Sequence, residues 1–543
     1  MNTLDQVKAD LIREIEQRVS DKILELSNAT LLCKLIGNAS DINEAISISQ
    51  MGTVYHPTGF HYDIRLEKTR DLKYFKKNNE LSYHVKDDAP THKLIIGDNY
   101  DALQNLLIEY KGMVDVIYID PPYGKDSMGD FAKTNYENSI SRDNLLSMLY
   151  PRLWLAKKLL SENGVIFCSI DDKNLAYLKC LFDEVFEENC YVTTLTIESS
   201  VIAGPRRVPA MQGSIVKTAE YCLVYSKSTD KKIIKNLKFD YIPGFDTHYN
   251  KWVDEENHSI VSLNDLIKNN SEISDIFESL NLKPNDQNLG SLVSFNKTVR
   301  NWLYSKEIAN YLYRKGSQEK ENELTSEAPL YHLFSINNKW YVKTEEGLFN
   351  VFRYCDRIGK CDDYFNSFGE RTVRGNLWKG FSSDGGNLDK EGGVSFKNGK
   401  KPLRLIKQLI DTVSNNKDAI ILDFFAGSGT TAQAVHELNI NDNGNRKCLL
   451  CQINEITDEA PNGIAIDITA KRLENSLKEN NPENLDVYDL CSVHDSETVP
   501  KKTPVDVIDE TLYGKDKFEN LQDKIEWICS YFPATEQKIK ESK

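Results

Sequence analysis

Val114-Asp-Val-Ile-Tyr-Ile-Asp120-Pro121-Pro122-Tyr123 is an apolar run closed by an acid and two prolines. A short apolar run bounded by turn residues reads as a strand buried on both faces, and two successive prolines remove two backbone donors and stop it. Working outward, the same reading gives strands at Lys93-Leu-Ile-Ile-Gly97, Gly164-Val-Ile-Phe-Cys-Ser-Ile170, Glu220-Tyr-Cys-Leu-Val-Tyr225 and Ala419-Ile-Ile-Leu-Asp423. Helix-like text lies between and around them: Tyr100 to Tyr110, Leu145 to Leu160, Leu403 to Ile410, and from Thr430 onward. Strands alternating with helices predict an α/β fold, doubly wound, with a mostly parallel sheet covered by helices.

The chain of 543 residues, with 40% hydrophobic, 27% charged and 10% aromatic residues, has the composition of a folded protein of several domains. No run approaches the roughly 18 apolar residues of a membrane span, and Met1 to Arg18 has no apolar core for a signal peptide, so a cytoplasmic protein without a membrane partner is expected. The 67 Lys and Arg against 82 Asp and Glu leave a net charge of −15, so a polyanionic partner must meet a local basic surface. The 11 cysteines are scattered. Cys448 and Cys451 sit three apart in an apolar strand and point to opposite faces, which argues for structural thiols in a reducing compartment. No metal-ligand spacing occurs among the nine histidines, and no metal site is expected.

Five regions follow from shifts in the text. Residues 1–90 begin with helical periodicity (Leu11, Ile15, Val19, Ile23, Leu26) and offer a candidate dimer contact. Residues 91–230 carry the first part of the α/β text. From 231 to 395 that rhythm gives way to polar text rich in Asn, Lys, Tyr and Gly, which reads as an insertion. The α/β text resumes over 396–499. A tail, 500–543, contains the amphipathic segment Phe518 to Ile528.

Two motifs carry chemistry. After the strand Val114 to Ile119, Asp120 and a nearby carbonyl can act as acceptors in a loop stiffened by Pro121 and Pro122, while Tyr123 offers an aromatic face. That set suits an amino group on a planar ring taken out of a nucleic-acid stack. A rigid turn at a strand end is the plainer reading of the same four residues. The second motif, Leu422-Asp423-Phe424-Phe425-Ala426-Gly427-Ser428-Gly429-Thr430-Thr431, is strand, glycine turn and helix start, a geometry that brings a ligand close to backbone at a helix N-terminus. Thr430-Thr431 stand where an ATPase loop needs Lys followed by Ser or Thr. Gly427-x-Gly429-x-x-Ala432, with Glu455 closing the next strand, also fits a nicotinamide fingerprint. The glycine loop alone therefore leaves the nucleoside-bearing cofactor open.

Taken together, an Asp-Pro-Pro-Tyr after one strand and a Phe-x-Gly-x-Gly-Thr after another resemble the β class of DNA adenine-N6 methyltransferases. Gly97-Asp98-Asn99, Tyr150-Pro-Arg-Leu153, Ser169-Ile-Asp-Asp172, Glu220 to Ser226, Lys401-Pro402 and Glu455 extend the likeness to the modification (Mod) subunits of Type III restriction-modification systems and their solitary relatives. It covers most of residues 91–226 and 400–470. The resemblance implies a Rossmann-like S-adenosylmethionine-dependent methyltransferase fold with an inserted target-recognition domain and helical terminal elements. It further implies that Asp120, Pro121, Pro122 and Tyr123 are catalytic, and that Asp98, Asp423, Phe425, Gly427, Gly429, Thr430 and Glu455 hold S-adenosylmethionine, Asp423 near its methionine amine. The expected partners are double-stranded DNA, a second copy of the chain, and a separate restriction subunit, because the sequence carries neither a Walker-type loop nor a recognisable nuclease constellation. The family often has Asn-Thr-Gly after its catalytic four, whereas Gly124-Lys125-Asp126 follows here. Cytosine-N4 methylation is the nearest rival reading, followed by RNA methylation, and a DNA-recognition subunit without activity is the rival from another class.

Charge is uneven along the chain. Residues 201–238 hold eight basic residues, Arg206 and Arg207 among them, against two acidic ones, and residues 370–407 hold nine, including Arg371, Arg374 and Lys379, against four. Both stretches flank the insertion, as a phosphate-tracking cleft would require. Two ordinary solvated faces would give the same composition.

Overall fold

In the computed structural model, which describes residues 4–20, 26–50, 73–123, 142–204, 207–320, 325, 327–386, 388–396 and 399–492, ten strands form the main sheet. Their order is Lys73–Lys77, Asn484–Ser492, Thr91–Ile96, Lys447–Gln452, Ile420–Asp423, Val114–Ile119, Leu160–Ile170, Ala219–Ser226, Tyr191–Glu198 and Leu377–Trp378. The six from Asn484–Ser492 to Leu160–Ile170 run parallel. Ala219–Ser226 is antiparallel to its neighbours Leu160–Ile170 and Tyr191–Glu198, a reversal that the apolar text of the strand does not encode.

Central strands are apolar on both sides because both faces are covered. On one face the helices Asn99–Tyr110, Arg142–Leu159 and Leu175–Phe186 pack against Ile117, Ile119, Ile166 and Leu422. On the other, Leu403–Val413, Thr430–Asp442 and Lys471–Leu477 pack against Val116, Tyr118, Ile421 and Leu450. Leu403–Val413 shows how the sequence drives this: Leu405, Ile406, Leu409, Ile410 and Val413 recur at three- and four-residue spacing and are all buried. At ~2 kcal/mol for each buried aliphatic side chain, that stripe contributes about 10 kcal/mol before ordering costs. Cys448 and Cys451 pack on opposite faces of the sheet, each as a free thiol.

The insertion has its own cores, built from a six-stranded antiparallel sheet, a three-stranded sheet and short helices. Its boundaries differ from those expected. Ile233 packs on the main-sheet core, Leu377–Trp378 pairs with Tyr191–Glu198, and Trp378 and Phe381 are buried in the main domain. Val394 and Phe396 pack with Ala460, Ile464 and Ile468. The separate module therefore spans about 239–373, because a two-residue strand and four apolar side chains set in glycine-rich text leave no periodic signal. Lys73–Lys77 likewise belongs to the main sheet, ahead of the boundary expected at 91. The helices Leu4–Ser20, Leu26–Gly37 and Ile42–Gln50 pack through Ile15, Leu32, Ile36 and Ala45. Ile23, the Gly124-Lys125-Asp126 departure, Arg206 and the Phe518 to Ile528 segment lie outside the described residues. Among the described residues no helix is long and apolar enough to cross a membrane.

At the end of the sheet away from Asp120, buried Glu483 ties three elements together. Its Oε2 lies 2.6 Å from His92 Nε2 and 2.9 Å from His436 Nδ1, and its Oε1 accepts from Asn439 Nδ2 at 2.9 Å. Burial pushes the carboxyl up, but the two imidazoles set against it, His436 and His92, prevail and hold it at about 2. A depressed carboxyl stabilises above its unfolded value and loses that contribution as pH falls through the folded one. Glu483→Gln is expected to cost about 3 kcal/mol near neutrality and to flatten the fall of the urea midpoint between about pH 4.5 and 2; equal slopes for the two proteins would contradict the assignment.

Candidate active site

Parallel strands bring their carboxyl ends to one edge, so Ile96, Ile119, Asp423 and Gln452 all finish there. Val114–Ile119 and Ile420–Asp423 are neighbours, yet the helices that follow them cover opposite faces of the sheet. That is a topological switch point, where open α/β sheets leave a crevice for ligands. The two motifs from distant parts of the sequence meet at it.

Asp120 follows the first of these strands. Its Oδ1 accepts from the Tyr123 hydroxyl at 2.7 Å and lies 3.3 Å from Lys401 Nζ. Among the described residues no donor is recorded on Oδ2. Burial pushes the Asp120 carboxyl up, and the Lys401 ammonium pulls it back. The loop is braced from behind by Asn174, whose Nδ2 donates to the Tyr123 carbonyl and to Asp171 Oδ1. Half-buried Tyr123 packs at the rim of the adjoining core, with Lys401 Nζ 5.1 Å from its ring centre.

The second motif turns through Gly427 (φ 52°) and Gly429 (φ 80°) into the helix Thr430–Asp442. Such left-handed backbone is open to glycine and strained for most residues. The turn is held by Gln452 Oε1 accepting from Gly427 N at 2.7 Å and by the Thr469 hydroxyl donating to Gly427 O at 2.6 Å. Thr469 sits on a π-helical segment, Ala465–Ala470, a distortion often found beside functional sites. Phe425 and Glu455 are half-buried and Asp98 is partly exposed. Asp98 caps the helix Asn99–Tyr110 and is gripped by Arg152 Nη2 at 3.0 and 3.1 Å. Asn99 Nδ2 reaches across to the Phe424 carbonyl at 2.7 Å, which ties the two strand ends together.

Two expected cofactor contacts need correction. Asp423 is only 2% exposed, with Oδ1 accepting from Phe425 N and Oδ2 from the Thr431 hydroxyl. Burial pushes its carboxyl up to about 7. It braces its own loop, and its burial closes the reach to a methionine amine. The Thr430 hydroxyl is likewise committed, accepting from the fully buried Arg472, which also donates to Ser428, Gln433 and Glu391.

The basic stretch at 370–407 is largely spent on partners within the protein, whereas Lys231, Lys232 and Lys235 of the other stretch are exposed. Arg374, expected at DNA, is 6% exposed and donates to Asp240, Gln408 and the Asp362 carbonyl; a phosphate would have to displace all three, so that expectation is corrected. Arg371 stacks on Phe239 and donates to the Lys360 carbonyl. Lys238 pairs with Asp411, Lys407 with Glu437 and Arg404 with Asp384. Arg207 and Lys379 are exposed.

Lys401, Asn99, Arg152, Asn174 and Arg472 are the site residues that sequence reading did not assign. Lys401 enters the sequence reading within the Lys401-Pro402 likeness and a basic run but without a role, and nothing local links it to Tyr123, 278 positions away. Among the described residues no cluster of His, Cys, Asp and Glu is arranged to hold a metal ion.

A family profile described as DNA methylase, of the N6 and N4 kind, matches residues 114–478, and a second, an uncharacterised conserved protein family, matches residues 9–116. A Haemophilus influenzae protein described as a probable type III restriction-modification enzyme HindVI Mod subunit is 28% identical over 66% of this chain and 49% of its own length. The StyLTI Mod subunit of Salmonella typhimurium is 27% identical over 81% of this chain and 66% of its own. The Type II methyltransferase M.KpnI of Klebsiella pneumoniae is 28% identical over 68% of this chain and 82% of its own. The chain thus spans from about half to about two thirds of the length of these Type III relatives.

Proposed function

We propose, from the premise that the chain belongs to the N6/N4 DNA methylase family, that it transfers a methyl group from S-adenosylmethionine to the N6 amine of an adenine flipped out of double-stranded DNA at a specific sequence. The observation that carries this reading is the division of labour on Asp120: Oδ1 is engaged by Tyr123 and Lys401, which leaves Oδ2 as an acceptor beside the glycine turn.

The set of groups around that turn fits the cofactor. Gly427 and Gly429 allow close approach, Phe425 offers an aromatic face to a cation, and Asp98 and Glu455 offer acceptors for an ammonium or for ribose hydroxyls. Thr430 contributes through the start of its helix, and Asp423 through the bracing of the turn. When bound, S-adenosylmethionine supplies an electrophilic methyl on a sulfonium.

The amine of adenine is a poor nucleophile because its lone pair is delocalised into the ring. Asp120 Oδ2 and the Pro121 carbonyl accept its two N–H bonds, localise the lone pair, and stabilise the positive charge that develops on nitrogen. Pro122 keeps the loop stiff, and the ring of Tyr123 stacks on the extruded base. The methylated ammonium is acidic, so its proton leaves to solvent without prior deprotonation of the amine.

The reading extends to a cytoplasmic modification subunit, or a solitary relative, that works as a homodimer. The module at 239–373 serves target recognition, restriction falls to a separate polypeptide, and Arg207, Lys379 and Arg371 are the remaining candidates for phosphate contacts. Labelled methyl transfer to unmethylated double-stranded DNA, with the nucleosides then resolved, tests it. N6-methyladenine is the expected product. N4-methylcytosine would favour the rival substrate, and label on RNA alone would overturn the DNA assignment.

A further inference from the structure

Lys401 lies just ahead of the helix Leu403–Val413 and is largely buried, and its ammonium has oxygens on three sides. Nζ donates to Glu220 Oε2 at 2.8 Å and to the Tyr123 hydroxyl at 2.8 Å, and lies 3.3 Å from Asp120 Oδ1. An ammonium has three donors, and here each has a partner. Because the Tyr123 oxygen accepts from Lys401, its own proton is free to point at Asp120, as the 2.7 Å bond records. Glu220 is present because its strand runs antiparallel to Leu160–Ile170, so the strand's first residues arrive at the same edge of the sheet where the parallel strands end.

We propose that Lys401, anchored by Glu220, is a positioning residue that orients the Tyr123 hydroxyl and holds Asp120 as a charged acceptor with Oδ2 turned to the substrate amine. This rests on the methyltransferase reading and names two residues that the Asp-Pro-Pro-Tyr motif does not contain. A salt bridge serving stability alone would be complete with Lys401 and Glu220. The placement of the remaining donors on both polar members of the motif goes beyond that need.

Charge balance points the same way. Asp120, Glu220 and Lys401 sum to one negative charge, which is matched by the positive charge growing on the attacking nitrogen. Burial raises the Asp120 carboxyl, Lys401 lowers it and Glu220 raises it. The other titratable groups facing it are the phenols of Tyr118 and Tyr123 and the thiols of Cys168 and Cys222, all raised by burial and so neutral. Asp423 stands behind it, and Lys217 acts on Glu220.

The two members of the pair therefore have opposite signatures. Without Lys401, two carboxylates share a buried site and Asp120 protonates more readily. Lys401→Met should move the acidic limb of the pH profile of kcat up by about one unit or more, so that its deficit against wild type grows from pH 8.5 to pH 6, by up to about tenfold for each pH unit the limb moves. Lys401→Arg, which keeps the charge, should restore most of the limb's position. Glu220→Gln removes the negative charge that raises Asp120, so its limb should move down while the plateau falls about tenfold, because the net negative charge facing the reacting nitrogen is gone. The changes should appear in kcat with the KM for DNA within a few-fold, and titration with S-adenosylhomocysteine should give near wild-type affinity, which certifies folding.

Opposite shifts of the two limbs support the proposal. Unmoved limbs, or shifts in the same direction, in variants that still bind S-adenosylhomocysteine would overturn it while leaving the methyltransferase reading intact. A wild-type protein that transfers no methyl to DNA fails the parent reading instead, and the wild-type arm of the same experiment separates the two failures.

Discussion

Asp120→Ala is expected to lower kcat for methyl transfer by at least about 10³-fold while the affinity for S-adenosylhomocysteine stays within a few-fold. The loss is large because the carboxylate is the acceptor that meets charge where it develops, in a site largely shielded from water, and such preorganised groups are typically worth 10² to 10³ or more in rate. The affinity survives because the turn through Gly427 and Gly429 is built on other residues: Gln452, Thr469, and Asn99 bonded to the Phe424 carbonyl. Stopped-flow or single-turnover transfer, paired with calorimetric titration, checks both halves. Removing Asp120 also leaves Lys401 with Glu220 as its remaining carboxylate, so the ammonium stays paired and the loop should keep its fold. Turnover within tenfold of wild type would remove Asp120 from the mechanism.

Gly429→Val is expected to have the other large effect, this time on cofactor affinity. A Cβ at Gly429 would stand 2.6 Å from Leu473 Cδ1 and 3.4 Å from Thr469 Cγ2, at a φ of +80° that a β-branched residue adopts only under strain. Strain of about 1–3 kcal/mol and overpacking of similar size together displace the turn. Affinity for S-adenosylhomocysteine should fall by at least about 30-fold. Circular dichroism should show the sheet intact, since Leu422, Leu449 and Leu450 hold the central strands within the two large cores on either face. Unchanged affinity would mean that the cofactor does not use this turn.

How much of this was legible in the sequence differs from element to element, for physical reasons. Val114–Ile119 and Ile420–Asp423 were readable because a strand buried on both faces needs an unbroken apolar run, and each ends in residues that stop a strand. The Leu403–Val413 helix was readable from its apolar spacing. The antiparallel turn of Ala219–Ser226 was not, because strand direction is set by connections and not by side chains, and with it went the placement of Glu220 at the active edge. The edge strand Lys73–Lys77, with three lysines in five residues, resembles a solvated loop until its pairing with Asn484–Ser492 is known.

Charge was the least legible property. A count of basic residues over 370–407 gave a local excess, yet Lys400 donates to three backbone carbonyls, Lys401 serves the Asp120 loop, and Arg404 and Lys407 have their own acids. Partners dozens or hundreds of positions apart consume cations that a sequence window counts as free. The same distance hid Lys401, which no spacing rule connects to Tyr123. Motif residues were readable because their chemistry is local, whereas the residues that orient them are contributed by the fold.

The most direct test of the central claim is single-molecule mapping of modified bases in genomic DNA from cells lacking their own adenine methylation, expressing either the wild-type chain or Asp120→Ala. N6-methyladenine is expected at nearly every copy of one short sequence with the wild-type chain, and at none with the variant. Unmodified adenines in both samples, or equal modification in both, would contradict it.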